Sequence, residues 1–201
     1  MPKYQGHRNI VHPDGSNDSS WLVYTCANCN TNVSGAVVSA FNNGYGVVKW
    51  LLCSSCGEGS VQLSNTLIYP SASFGPIIDG LPDDVKIAYT EARNCISTNA
   101  ITACELMCRK ILMHVAVEKG AKEGDTFAAY LTHLEGLGYI TPPMKIWVGL
   151  IRENGNEATH LLATPPRERV ESTLFFTAEL LRLVYEMEFL ARKYVPKAPN
   201  P

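Results

Sequence analysis

Cys26-Ala27-Asn28-Cys29-Asn30 and, after a 23-residue excursion, Cys53-Ser54-Ser55-Cys56-Gly57 decide how the first third of this chain folds. Two residues between cysteines let one tight turn aim both sulfurs at a single point, and two such turns complete a tetrahedron. Asn30 and Gly57 directly follow the second cysteine of each pair. Both residue types accept the left-handed backbone that closes such a turn and turns N–H groups toward the sulfurs. The pattern predicts a structural Zn2+ site, one ion per chain, ligated by Cys26, Cys29, Cys53 and Cys56. A redox Cys-x-x-Cys pair and chance are the alternatives.

The flanking sequence suits that reading. Trp21 to Thr25 leads into the first pair as a strand, and Val37 to Phe41 reads as a second. Asn42-Asn43-Gly44 is a tight turn, Tyr45 to Leu52 a returning strand, and Ser60 to Tyr69 a further one. Residues 21–69 thus form a small β zinc ribbon. Residues 1–20 are polar and aperiodic and read as a loose arm, His7 and His12 being solvated histidines. Residues 70–81, rich in Pro, Gly and Ser, read as a linker.

From residue 82 the pattern turns helical. Pro82-Asp83-Asp84 opens one helix, which runs to about Ser97. A second covers about Asn99 to Lys119, with an apolar stripe of Ile101, Cys104, Cys108, Ile111 and Val115. A third begins at Asp125 or Thr126 and presents Phe127, Leu131, Leu134 and Leu137. Thr141-Pro142 caps a fourth, which carries Ile146, Trp147, Leu150 and Ile151 into a polar stretch at residues 151–160. Thr164-Pro165 caps the longest, to about Tyr194, with Val170, Leu174, Ala178, Leu181 and Tyr185 on one side. Short connections argue for an antiparallel bundle over residues 82–195, followed by a tail at 196–201. The expected fold class is therefore mostly α, a bundle preceded by the ribbon.

The totals set limits. Seventeen Lys and Arg against 19 Asp and Glu give a net charge of −2, so no bulk pull toward nucleic acid exists. Residues 1–80 carry three basic and four acidic side chains, so the ribbon suits a protein partner better than bare nucleic acid. No apolar run reaches the roughly 18–20 residues of a membrane span. Seven cysteines, four of them in pairs, fit thiolates in a reducing cytoplasm better than a disulfide framework.

Arg, Asn, Glu, Thr and His crowd into Ile151-Arg152-Glu153-Asn154-Gly155-Asn156-Glu157-Ala158-Thr159-His160. On a helix advancing about 100° per residue, Arg152, Asn156 and Thr159 fall near one line, with His160 about 80° round from Arg152. A planar cation, an amide, a hydroxyl and an imidazole on one face suit recognition or metal-free cleavage of RNA. His would move the proton, and Arg would stabilise the phosphorane charge. Arg167 and Arg169 add positive potential. A kinked helix with internally satisfied hydrogen bonds is the structural alternative, and ligand binding without chemistry a third reading.

Tyr69-Pro70, then Leu81-Pro82-x2-Val85-x3-Tyr89-x-Glu91-Ala92, then Ala103-x2-Leu106-x2-Arg109-Lys110-x-Leu112, then Ile151-Arg152-x2-Gly155-Asn156-x-Ala158-x-His160 resemble, over about residues 69–190, the bacterial and phage family numbered 4145 among the domains of unknown function. That family is similar in turn to the HEPN superfamily of small helical bundles, many of them dimeric, metal-independent ribonucleases of antiviral and toxin systems. The resemblance implies an HEPN-like bundle, a homodimer, and a role in phage defence or counter-defence. Arg152 and His160 stand at the Arg and His of the superfamily's signature, with Glu153 at its polar position. Seven residues separate Arg152 from His160, a longer spacing than that signature has. Catalysis is expected at Arg152, Asn156 and His160, with Arg109, Thr159 and Arg167 contacting an RNA or nucleotide ligand. The rival expectation is a non-enzymatic dimeric adaptor whose ribbon binds a partner protein.

Overall fold

A computed structural model of the chain describes residues 10–11, 17–18, 20–63, 67–151 and 164–194. The chain divides into two compact units, Met1–Ser73 and Phe74–Pro201. About half of it is helical, and a five-stranded antiparallel sheet forms near the N-terminus.

The first unit is built on β3 (Trp21–Thr25), β4 (Asn32–Asn42), β5 (Val47–Leu52), β6 (Gly59–Gln62) and β7 (Ile68–Tyr69), adjacent in that order. Within the region expected to be a loose arm, β1 (Ile10–Val11) and β2 (Asn17–Asp18) pair as a separate two-stranded ladder. Aperiodic polar sequence gave no sign of strands only two residues long. β4 begins five residues earlier than its apolar core suggests, because Asn32 and Ser34 pair with Thr25 and Val23 on the partner strand. The last expected strand is two short ones, β6 and β7, in antiparallel register.

Period-two alternation separates the two faces of this sheet. One face carries Tyr24, Val33, Val37 and Leu51, which form the core with Cys26 and Cys53. Gly35 fits here because a Cβ would lie 2.4 Å from the Tyr24 ring. The cross-strand pairs Trp21↔Ala36, Ser39↔Trp50, Phe41↔Val48, Trp50↔Val61 and Val61↔Tyr69 place the other row of side chains on the opposite face.

The second unit contains α1 (Asp83–Ser97), α2 (Ile101–Glu118), α3 (Phe127–Gly136), a 3-10 turn at Pro142–Met144 running into helical residues 145–151 (α4), α5 (Arg167–Leu181) and α6 (Met187–Tyr194). α2 is the hub, packing against α1, α3 and α5. Its stripe of Ile101, Cys104, Cys108, Ile111 and Val115 is buried as the spacing predicts, and so are Val170, Leu174, Ala178, Leu181 and Tyr185. Cys104 and Cys108 are core side chains. Thr126 caps α3 by accepting the Ala129 N–H at 3.2 Å.

α4 has one buried and one exposed side. Met144, Val148 and Ile151 are buried, whereas Ile146 is 77% and Leu150 51% exposed. The helix opens with a 3-10 turn through Pro142 and Pro143. Trp147 meets the edges of the Phe175 and Phe176 rings at 6.1 and 6.3 Å.

Residues 74–81 are tied to the helices of the same unit. Arg93 donates to the Phe74 and Gly75 carbonyls, Tyr89 to that of Pro76, and the Asp79 N–H to Glu186 Oε1. Between α5 and α6 the helix does not break but widens into a π-turn, Arg182–Glu186.

Candidate functional site

The two Cys-x-x-Cys turns fold as copies of one another. Cys26 N–H donates to the Thr31 carbonyl at 3.0 Å and Asn30 N–H to that of Cys26 at 2.9 Å. Cys53 N–H donates to the Glu58 carbonyl at 2.9 Å and Gly57 N–H to that of Cys53 at 2.9 Å. Asn30 (φ 54°) and Gly57 (φ 81°) hold the left-handed conformation that the sequence required of them. Their own N–H groups close the turns rather than facing sulfur. Donors that reach the sulfurs include Ser55 N–H to Cys53 at 3.4 Å, the Asn28 amide to Cys56 at 3.5 Å, the backbone N–H groups of Cys29 and Asn28 to Cys26, and the hydroxyl and N–H of Thr31 to Cys29.

The four sulfurs lie within 4.8 Å of one another, and all four cysteines are free thiols. Cys26 and Cys56 are 3.7 Å apart at Sγ, Cys29 and Cys53 3.8 Å. A tetrahedron with metal–sulfur bonds of about 2.3 Å has an edge of about 3.8 Å, whereas a disulfide needs about 2.05 Å. Burial pushes the Cys26 thiol up to about 12 despite its N–H donors, while the Thr31 hydroxyl helps hold Cys29 down to about 6. Four sulfurs this close share protons unless a cation among them stabilises every thiolate. The donor set therefore fits a metal ion, with every tetrahedral position filled by protein.

Of the expected polar face, Arg152, Asn156, Thr159 and His160 lie outside the described residues. The two remaining candidates are described. Arg109 stacks over the Phe127 ring at 4.3 Å, where burial lowers its pKa and the Glu105 charge opposes that shift. Arg167 forms an exposed i,i+4 pair with Glu171 at 2.7 Å. The sequence reading missed Glu105. Its carboxylate, 3% exposed on α2, takes Arg169 Nε at 2.9 Å on one oxygen and Arg169 Nη2 at 3.2 Å on the other. Its position directly after Cys104, inside the buried stripe, was the available signal.

At the far end of α2, the Tyr185 hydroxyl in the π-turn donates to Glu118, and Lys119 lies 5.0 Å over the Tyr185 ring. His114 pairs with Asp84 at 3.3 Å, and His133 Nε2 contacts the Lys119 carbonyl at 3.0 Å.

The sheet face away from the sulfur cluster carries large exposed apolar side chains beside two that are buried, Ala36 and Val48. Trp21, Val23, Phe41, Trp50 and Tyr69 are 48%, 70%, 50%, 52% and 46% exposed, respectively. Residues 20–73 contain two charged side chains, Lys49 and Glu58. Lys49 lies on the opposite face, in register with Ala40 and Gln62.

Residues 90–197, more than half the chain, match the family model described as a domain of unknown function, DUF4145. No curated protein and no solved structure matches the chain.

Proposed function

The chain belongs to the DUF4145 family, and on that premise we propose that it is a docking protein: a zinc ribbon that binds a partner polypeptide, carried on an HEPN-like, homodimeric helical unit. The open aromatic face of the ribbon sheet carries this reading. Monomeric soluble proteins rarely leave a contiguous apolar patch of several large side chains in water, and such patches mark interaction surfaces. The role of the ion is to hold the sheet in shape, because a fully protein-ligated tetrahedral site has no open position for chemistry. Zinc is the natural occupant of four thiolates in a tetrahedron.

RNA cleavage or nucleotide binding at Arg152, Asn156 and His160, in a setting of phage defence or counter-defence, is the rival proposal and rests on sequence alone. Expressing wild type, Trp50→Glu and His160→Ala in cells separates the two. A docking protein loses its effect on the cell with Trp50→Glu and keeps it with His160→Ala. RNA that is cut by wild type and spared by His160→Ala overturns the docking reading. Metal analysis of purified protein should find about one zinc per chain, and a monomeric mass in solution would remove the homodimer.

A further inference from the structure

The parity of the β3–β4 ladder fixes where the backbone of the sheet's first edge points. Val37 N–H donates to the Ser20 carbonyl at 3.1 Å, and Cys26 N–H to that of Thr31 at 3.0 Å. Both bonds belong to one antiparallel register, in which hydrogen-bonded and non-hydrogen-bonded pairs alternate. Leu22 and Tyr24 therefore spend their N–H and C=O groups on β4, whereas Trp21, Val23 and Thr25 turn theirs outward. Among the described residues, no strand pairs with that side of β3. From Trp21 to Thr25 the strand also lacks the charges, proline and bulge that usually protect an edge.

Aligned donors and acceptors select an extended chain, because a helix keeps its backbone groups for itself. They also match a second copy of themselves. Two β3 strands set antiparallel about a two-fold axis at Val23 place Val23 against its counterpart and Trp21 against Thr25 on either side. Each of these is a hydrogen-bonded pair, so every outward group of both copies finds a partner and none is left over. A longer, unrelated strand would run past Thr25, where the chain leaves the ladder for the Cys26–Cys29 turn, and its next groups would go unmatched. No charged residue lies between Ser20 and Cys26, so nothing repels across the axis. On the exposed side the pairing sets valine beside valine and the indole of Trp21 beside the Thr25 methyl group. Association also stops at two copies. The other edge, β7, is two residues long, and Pro70, next in the chain, has no N–H to offer.

We propose that β3 is the seam of a homodimer, pairing antiparallel with β3 of a second copy so that the two sheets become one. This goes beyond the docking reading, which uses the sheet face and not its edge. The test compares full-length, zinc-loaded wild type, Val23→Thr and Val23→Pro by sedimentation over about 1–100 μM, and follows amide exchange in the wild type by NMR. Proline at position 23 removes a donor that β4 does not use, so each chain keeps its own ladder; zinc content and circular dichroism check this. Wild type and Val23→Thr should dimerise, and the dissociation constant should rise at least about tenfold in Val23→Pro. Exchange at the Trp21, Val23 and Thr25 N–H groups should slow as concentration rises. If Val23→Pro fails to keep its zinc, Val23→Lys, which sets two like charges face to face on the exposed side, gives the same comparison. A dimer indifferent to these substitutions, or one in which the three N–H groups exchange freely, overturns the proposal and leaves a dimer through the helical unit standing. A monomeric mass throughout overturns both and leaves the docking reading untouched.

Discussion

If the four cysteines hold zinc, as proposed, stripping it should unfold the Met1–Ser73 unit and spare the helical one. The core of that unit consists of six buried residues, two of which, Cys26 and Cys53, belong to the four-sulfur cluster, while Cys29 and Cys56 pack against them. Removing the ion thus removes the centre of the core. A structural zinc supplies about 10–16 kcal/mol near neutral pH. The total stability of a folded domain is about 5–15 kcal/mol, so the metal-free ribbon falls on the unfolded side. Trp21 and Trp50 belong to the ribbon and Trp147 to the bundle, so in a Trp147→Phe background fluorescence reports the ribbon alone. Titration with a strong chelator should shift that emission toward the unfolded value while the helical circular dichroism persists. Added zinc should reverse the change. Cys53→Ser should reproduce the stripped state, and Cys108→Ala, a core substitution far from any ligand in sequence, should leave the metal content unchanged. A ribbon that still melts cooperatively after metal analysis shows it empty would refute the reasoning.

Three further expectations concern the helical unit. Glu105→Gln leaves the largely buried Arg169 guanidinium without its carboxylate and should cost about 3 kcal/mol or more in urea unfolding; a change within experimental error would mean the pair contributes nothing net. Gly80, at φ +73°, would place a Cβ 2.4 Å from that of Phe189, so Gly80→Ala should destabilise by about 1–3 kcal/mol. Adding Phe189→Ala should not restore the wild-type melting temperature, because alanine keeps the Cβ that the new methyl meets and the backbone strain remains. Burial pushes the Glu118 carboxyl up, but its bonds from Tyr185 and Lys119 outweigh that and leave it below the ordinary carboxylate value. Its stabilisation is therefore complete above the unfolded pKa and lost as pH falls through the lower folded one. The melting-temperature gap between wild type and Tyr185→Phe should narrow on acidification through that window, and a constant gap would exclude the linkage.

Much of the architecture was legible because apolar periodicity is a direct record of burial. The α2 and α5 stripes were readable to the residue, and the cysteine spacing with Asn30 and Gly57 foretold both turns down to their left-handed φ. The failures have physical causes. The pairing of Glu105 with Arg169 joins positions 64 residues apart, a separation that no local pattern encodes. The exposed sheet face was hidden because Trp21, Phe41, Trp50 and Tyr69 look like core residues in a sequence and only strand register shows that they share the outer side. Arg152, Asn156 and His160 lie outside the described residues, and the reading of them stands where the sequence left it.

The π-turn at Arg182–Glu186 makes the final helix act like a reading frame. A π-turn holds one more residue than the α-helix needs over the same span, and each residue of an α-helix rotates the chain by about 100°. Deleting a single residue there would let the segment relax to a plain α-helix while turning everything after it by that angle. Phe189 would leave Gly80, and Glu186 would leave the Asp79 N–H, with no residue of α6 itself changed. The extra residue works as a phase setting: it decides which side of α6 meets the segment that leads into α1. One-residue deletions within 182–186 should accordingly be far more damaging than most substitutions at the same positions.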